Sequence, residues 1–155
     1  MTHLEQLLGR YISLRPRSEY EVRQYLTRKR KKISVSDEFV EGLVAKYKGF
    51  GYIDDKKFAE SLSHSVIANK SKGKRWLSMK LKIAGVDKET VSAALQAVDP
   101  EEIQAAMEKR IAKFEHKWAD LDKRTRFAKA YTNLMTAGFS SSEIGPFLDE
   151  WVQKR

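Results

Sequence analysis

Six cations fall between residues 70 and 82: Lys70, Lys72, Lys74, Arg75, Lys80 and Lys82, with no carboxylate among them. Ammonium and guanidinium groups gathered this way suit a polyanion, since each phosphate they neutralise releases a condensed counterion. A merely solvated helix face would intersperse acids, as residues 100–114 do. An earlier basic stretch holds Arg15, Arg17, Arg23, Arg28 and Lys29 and runs on into Arg30, Lys31 and Lys32. The candidate nucleic-acid-binding residues are therefore Arg15, Arg17, Arg23, Arg28, Lys29, Lys70, Lys72, Lys74, Arg75 and Lys82.

On a helical wheel centred on Leu77, Leu81 and Ala84 lie within about 40°, at ~100° per residue. Trp76, Met79 and Ile83 continue the apolar arc, and Lys74, Arg75, Ser78 and Lys82 occupy the remainder. Trp76 reads as a core anchor rather than a base-stacking platform. Lys74, Arg75 and Lys82 are expected to project from one arc and to be replaceable without opening the core.

Catalytic chemistry has no comparable signal. His3, His64 and His116 are far apart in sequence and form no metal-ligand pattern. Asp54 and Asp55 read as helix caps. Lys72-Gly73-Lys74 lacks the rest of a phosphate loop, and no strand precedes it. Ser61, Ser63, Ser65 and Ser78 lack a nucleophile elbow. The absence of cysteine excludes a disulfide framework and thiolate metal sites. The expectation is a non-enzyme without cofactor or metal.

Helical punctuation must position the cations. Apolar residues from Leu4 to Leu14 predict a first helix that stops before Arg15-Pro16. Ser18 and Glu21 form a capping box for a second, and Ser36 caps a third that Gly49 and Gly51 close. Asp54 or Asp55 opens a long fourth helix bearing Phe58, Ala59, Leu62 and Val66. A basic glycine-containing turn precedes the fifth, which Gly85 ends. Asp87 opens a sixth helix, and Asp99-Pro100 a long seventh bearing Ile103, Met107, Ile111, Phe114 and Trp118. An eighth runs from about Asp122 to Ala137 and a ninth from Ser140 or Ser141, where Pro146 must fall within or just beyond the first turn.

These helices repeat. Leu81, Gly85, Val86, Val91 and Leu95 overlay Leu134, Gly138, Phe139, Ile144 and Leu148 at an offset of 53. Ser18, Val22 and Leu26 overlay Gly73, Leu77 and Leu81 at an offset of 55. A period near fifty residues holding three helices predicts an all-α fold of three tandem three-helix repeats, an elongated, curved helical array. The boundaries are 1–52, 53–98 and 99–155. Residues 1–52 carry a net charge of +5, residues 53–98 carry +4, and residues 99–155 carry none. The localised excess points to a polyanionic partner on part of the surface.

At 155 residues, 41% apolar and 33% charged, the composition is that of a soluble helical protein. No stretch approaches the ~20 apolar residues of a membrane span, and the N-terminal residues lack a secretory pattern. Neither membrane nor metal is expected as a partner, and the cytoplasm is the default location.

The sequence resembles the RecX family of bacterial recombination regulators. The matching pieces are Arg15-Pro-Arg-Ser18-x-x-Glu21-Val22-x-x-x-Leu26, Gly51-Tyr-Ile-Asp-Asp-x-x-Phe58-Ala59, and Gly73-x-x-x-Leu77-x-x-x-Leu81-x-x-x-Gly85-Val86. Together they cover about residues 4–98. The resemblance implies a modulator that docks along the RecA–DNA filament and, as such proteins usually do, inhibits recombinase, ATPase and coprotease activities; single- or double-stranded DNA is expected as a further partner, and the chain is expected to be a monomer. It also implies that the basic second helices of the first two repeats face the filament. Trp76-Leu77 departs from the usual pattern, where a small basic-plus-isoleucine pair is commoner. The alternative is an autonomous helical DNA- or RNA-binding module.

Overall fold

A computed structural model describes residues 1–154, and every regular element among them is helical. The α-helices are α1 (His3–Leu14), α2 (Glu19–Arg30), α3 (Asp37–Gly49), α4 (Asp55–Ser63), α5 (Lys74–Ile83), α6 (Lys88–Ala97), α7 (Pro100–Phe114), α8 (Lys123–Thr136) and α9 (Ser141–Gln153). The expected long fourth helix changes pitch at a π-helical turn, His64–Asn69, and the seventh at a 3-10 turn, Glu115–Trp118.

The caps form where the side chains predict them. Ser18 and Glu21 bond reciprocally at the start of α2, as do Asp99 and Glu102 at α7. Ser36 accepts from the Phe39 N–H, Asp54 from Lys56 and Lys57, and Asp87 from Thr90. Thr2, unmarked in the sequence reading, caps α1. Pro146 lies at the sixth position of α9, where it removes one intrahelical bond without ending the helix.

Glycines close three helices in the left-handed region: Gly51 at φ 80°, Gly85 at 73° and Gly138 at 97°. At Gly85 the Val86 N–H reaches the Leu81 carbonyl and the Gly85 N–H reaches Lys82. At Gly138 the same two bonds run from Phe139 to Leu134 and from Gly138 to Met135. Each pair is a Schellman motif, and its apolar partners, Leu81 with Val86 and Leu134 with Phe139, are buried.

The chain divides into two compact units. The first comprises Met1–Ser61 and Leu81–Ser92; the second comprises Leu62–Lys80 and Ala93–Arg155. In the first, Leu4 and Leu8 of α1, Val22 and Leu26 of α2, and Val40, Leu43 and Val44 of α3 form one apolar cluster with Ile53. In the second, Ile103, Met107 and Ile111 of α7 and Leu134 of α8 are buried, as are Ile144, Leu148 and Trp151 of α9. Leu14 falls outside the first core at 78% exposed, because its position at the end of α1 points away from α2 and α3.

One inter-helix junction occurs within each unit, at matching sequence positions. In the first unit the buried Ser18 hydroxyl donates to the Ala84 carbonyl at 2.6 Å. A Cβ on Gly85 would lie 2.5 Å from the Tyr20 Cβ. In the second unit the Gly73 N–H donates to the Ala137 carbonyl at 2.9 Å and the Arg75 N–H to Gly138 at 3.2 Å. A Cβ on Gly73 would overlap the Gly138 carbonyl, and one on Gly138 would lie 2.8 Å from the Trp76 ring. Ser18 corresponds to Gly73, and Ala84 and Gly85 to Ala137 and Gly138, at the offsets read from the sequence. Gly73 is thus required for backbone approach. The left-handed residue of the basic turn is Ser71, at φ 53°.

Candidate nucleic-acid interface

In the first unit several candidate cations are engaged by their own chain. Arg15 makes a two-pronged pair with Glu21, at 2.8 and 3.2 Å. Arg23 bridges Glu19 and Glu41, and these carboxylates hold both guanidiniums charged above their usual range, the hydrogen bond being the main cause. Arg17 donates to the Tyr11 carbonyl and lies over the Tyr11 ring at 3.9 Å. Tyr11 stacks on Tyr25 at 4.0 Å, and the Lys29 ammonium lies 5.5 Å from the Tyr25 ring centre. Arg28 at the end of α2 and Lys82 on α5 are exposed.

In the second unit none of the candidate cations pairs with an acid among the described residues. Ser71 is buried in its left-handed conformation between Lys70 and Lys72, its hydroxyl unbonded within the described residues. Lys70 points to solvent, and Lys72 is half-buried with its ammonium 4.2 Å from the Trp76 ring centre. Burial, then repulsion from Arg110 and Lys70, pulls the Lys72 ammonium below the ordinary lysine value. Lys80 approaches the same indole at 5.6 Å. Lys74 is half-buried at the start of α5.

Arg75 is exposed, as its place on the outer arc of α5 leads one to expect, and its guanidinium donates to the Met135 carbonyl. Trp76 is a half-buried bracket rather than a core anchor, its indole N–H donating to the Thr136 carbonyl at 3.2 Å. With the Gly73 and Arg75 backbone bonds, these side chains reach four successive carbonyls, Met135 to Gly138; Met135 already accepts from the Gly138 N–H, and the other three are ones that the end of α8 would otherwise leave unpaired. Met79 and Ile83, assigned to the apolar arc, are 42% and 67% exposed, because only the stripe of Leu77, Leu81 and Ala84 is covered.

Arg110 of α7 carries no signal in the sequence, yet its charge repels the Lys72 ammonium in the same unit. Among the described residues its one hydrogen bond is to the Asn133 side-chain oxygen, at 2.7 Å. The neutral charge balance of residues 99–155 hid it, because a sum over the segment averages a local cation with distant acids. The three histidines are exposed, and among the described residues no cluster of three or more His, Asp or Glu could hold a metal. No helix among them is long and apolar enough to cross a membrane.

Residues 54–95 match the family model described as "RecX, second three-helix domain". A protein named "Regulatory protein RecX" from Oceanobacillus iheyensis is 31% identical over 140 residues, which cover 90% of this chain and 50% of that protein. A second of that name, from Limosilactobacillus reuteri, is 32% identical over 143 residues, covering 92% and 52%. Over some nine-tenths of its length the chain is similar to proteins of the RecX family. It spans about half the length of the curated relatives it matches. The fold agrees: a crystal structure of RecX from Lactobacillus salivarius superposes with a TM-score of 0.81 over 95% of this chain and 93% of that one, at 20% identity. The segment matched by the family model contains Lys70, Lys72, Lys74, Arg75 and Lys82, while the α2 cations lie before it.

Proposed function

We propose that this chain regulates the RecA recombinase by binding the RecA–DNA filament and restraining its recombinase, ATPase and coprotease activities. It acts as a non-enzymatic monomer in the cytoplasm, in recombination, repair and the SOS response. The observation that carries the reading is the set of cations at the start of α5 that no carboxylate among the described residues offsets, on a chain similar to RecX proteins. The docking residues are Lys70, Lys72 and Lys74 in the second unit and, in the first, Lys82 with Arg28 and Lys29 from α2. Arg15, Arg17, Arg23 and Arg75 join them by exchanging their present partners for phosphate or acidic side chains. Three repeats, 1–52, 53–98 and 99–155, form the frame that carries them, a division supported by the two matching junctions.

The test is RecA's DNA-dependent ATPase, with a RecA pull-down in the presence and absence of single-stranded DNA. Reversing Lys70, Lys74 and Lys82 to Glu spares the Arg75 bond to Met135, so helicity and melting should stay near wild type, at about 0.5 kcal/mol or less per site. Suppression of the ATPase should disappear. A reversed protein that still suppresses at wild-type concentrations would remove these lysines from the docking residues. A wild-type protein that binds naked DNA and leaves RecA unaffected would make the chain an autonomous nucleic-acid-binding module instead.

A further inference from the structure

A cleft of about 580 Å³ lies between α7 and α8 in the second unit. Arg110 and Phe114 line one wall, and Lys129, Thr132, Asn133 and Thr136 the other. No carboxylate lines it. Its size falls in the range of about 300–1,000 Å³ usual for sites that enclose a small ligand or one unit of a polymer.

Arg110 is the unusual group. A half-buried guanidinium ordinarily meets a carboxylate, because taking it from water without a counter-charge is costly. Arg15 and Arg23 of the first unit follow that rule. Arg110 does not: among the described residues its only hydrogen-bond acceptor is the neutral Asn133 amide, and the nearby charge is another cation, Lys72. Burial accordingly draws its guanidinium below the ordinary arginine value. Its guanidinium lies 5.4 Å from the Phe114 ring centre, and Lys117 lies 5.3 Å from the same centre. Phe114 in turn stacks near Trp118 at 6.3 Å. Lys129 supplies an exposed ammonium on the opposite wall, beside the Thr132 hydroxyl. Only an incoming anion supplies the charge that this cleft lacks, and Asn133 fixes the direction in which Arg110 presents its remaining donors.

We propose that the α7–α8 cleft binds a phosphate of single-stranded nucleic acid, with Arg110 as its central cation and Lys129 as the flanking one. The aromatic wall favours an unpaired strand over a duplex, because a splayed nucleotide can place its base against a ring while its phosphate meets the guanidinium. The inference deepens the filament reading by assigning the chain its own contact with the strand, and it places that contact in the segment of zero net charge. A free nucleotide carries the same phosphate chemistry, so the experiment separates the two sources.

The full chain is titrated against a fluorescein-labelled oligothymidylate, followed by anisotropy at several salt concentrations and without RecA. Arg110→Gln should weaken binding at least tenfold and lower the logarithmic salt slope by about 0.7, the share of one phosphate on a single strand. Lys129→Gln, at an exposed site that cannot disturb the core, should weaken it several-fold, while Lys88→Gln on α6 should stay within twofold. Thymidine monophosphate at millimolar concentration should compete poorly; displacement at micromolar concentration would assign the cleft to free nucleotides and overturn the strand assignment. Wild-type affinity in both folded Arg110→Gln and Lys129→Gln proteins, judged by circular dichroism, would also overturn it. If those variants bind the oligonucleotide normally while wild-type protein still suppresses RecA, this site fails and the filament reading stands. If oligonucleotide binding needs Arg110 while RecA is untouched, the site stands and the filament reading fails.

Discussion

The two inter-helix junctions solve one geometrical problem with different chemistry. In the first unit a side chain makes the connection: the Ser18 hydroxyl accepts from the Glu21 N–H as a cap and donates to Ala84, while Gly85 leaves room for Tyr20. In the second unit backbone makes it: Gly73 brings its N–H onto Ala137, and the Arg75 and Trp76 side chains complete the bracket. The hydroxyl reaches across a gap of about one atom, so the first junction tolerates a Cβ where the second does not. The cations divide in the same way. Arg15 and Arg23 are neutralised by Glu21, Glu19 and Glu41, whereas Lys72 and Arg110 repel each other and neither has an ion pair among the described residues. Where the first unit's arginines hold the protein together, the second unit leaves charge available to a partner.

The sharpest way to break the comparison is to add one methyl group to each junction. Gly73→Ala should cost about 3 kcal/mol or more, since its Cβ meets backbone that cannot rotate away. Gly85→Ala should cost about 1–3 kcal/mol, from its positive φ and from a clash that Tyr20 can partly relieve. All three tryptophans, Trp76, Trp118 and Trp151, lie in the second unit, so the urea midpoint by tryptophan fluorescence reads the Gly73 effect. Equal losses at the two glycines would mean that both junctions are equally tight, contrary to their geometry.

A smaller contrast comes from deleting one donor at each junction. Ser18→Ala removes the cap and strands the buried Ala84 carbonyl, for an expected loss of about 1–3 kcal/mol. Trp76→Phe keeps a ring against Gly138 and removes only the bond to Thr136, about 0.5–1.5 kcal/mol. Thermal melts ranking Trp76→Phe below Ser18→Ala would contradict the division of labour between hydroxyl and backbone.

The smallest expected effect is on pH dependence. Hydrogen bonds, from Lys46 to Glu5, from Arg23 to Glu41 and from the Thr90 backbone to Asp87, hold these three first-unit carboxylates below their usual range, while burial holds Asp55 above its own. A depressed carboxylate contributes stability at pH above its ordinary value, and that contribution fades as pH falls through its folded value. The first unit's tyrosine signal should therefore lose urea resistance below about pH 4, near the ordinary glutamate value of about 4.3. Glu5→Gln should flatten that decline. An unchanged acid profile in Glu5→Gln would show that the Lys46 pair contributes nothing.

Much of the fold was legible from local rules. Ser18, Ser36, Asp54, Asp87 and Asp99 announce helix starts because a short side-chain acceptor next to free N–H groups has few better partners. Gly85 and Gly138 announce ends because a left-handed residue carries a Cβ penalty that only glycine escapes. The spacing between those signals exposed the repeat, and lysines uninterrupted by acids exposed the basic α5 region.

Pairing across distance was decided by tertiary structure alone. A wheel drawn on α5 ranks Arg75 and Lys82 alike; the end of α8 takes up the Arg75 guanidinium and leaves Lys82 in solvent. Trp76 likewise became a donor to Thr136 only because α8 ends beside it. Gly73 carries no sign in its own neighbourhood that Gly138, distant in sequence, excludes its Cβ. Arg110 is one cation among balanced charges until folding opposes its charge to that of Lys72 and bonds it to Asn133. Caps and turns are satisfied by atoms a few residues away, so residue type determines them; the charge state and freedom of a side chain depend on what the rest of the chain brings to within a few ångströms of it.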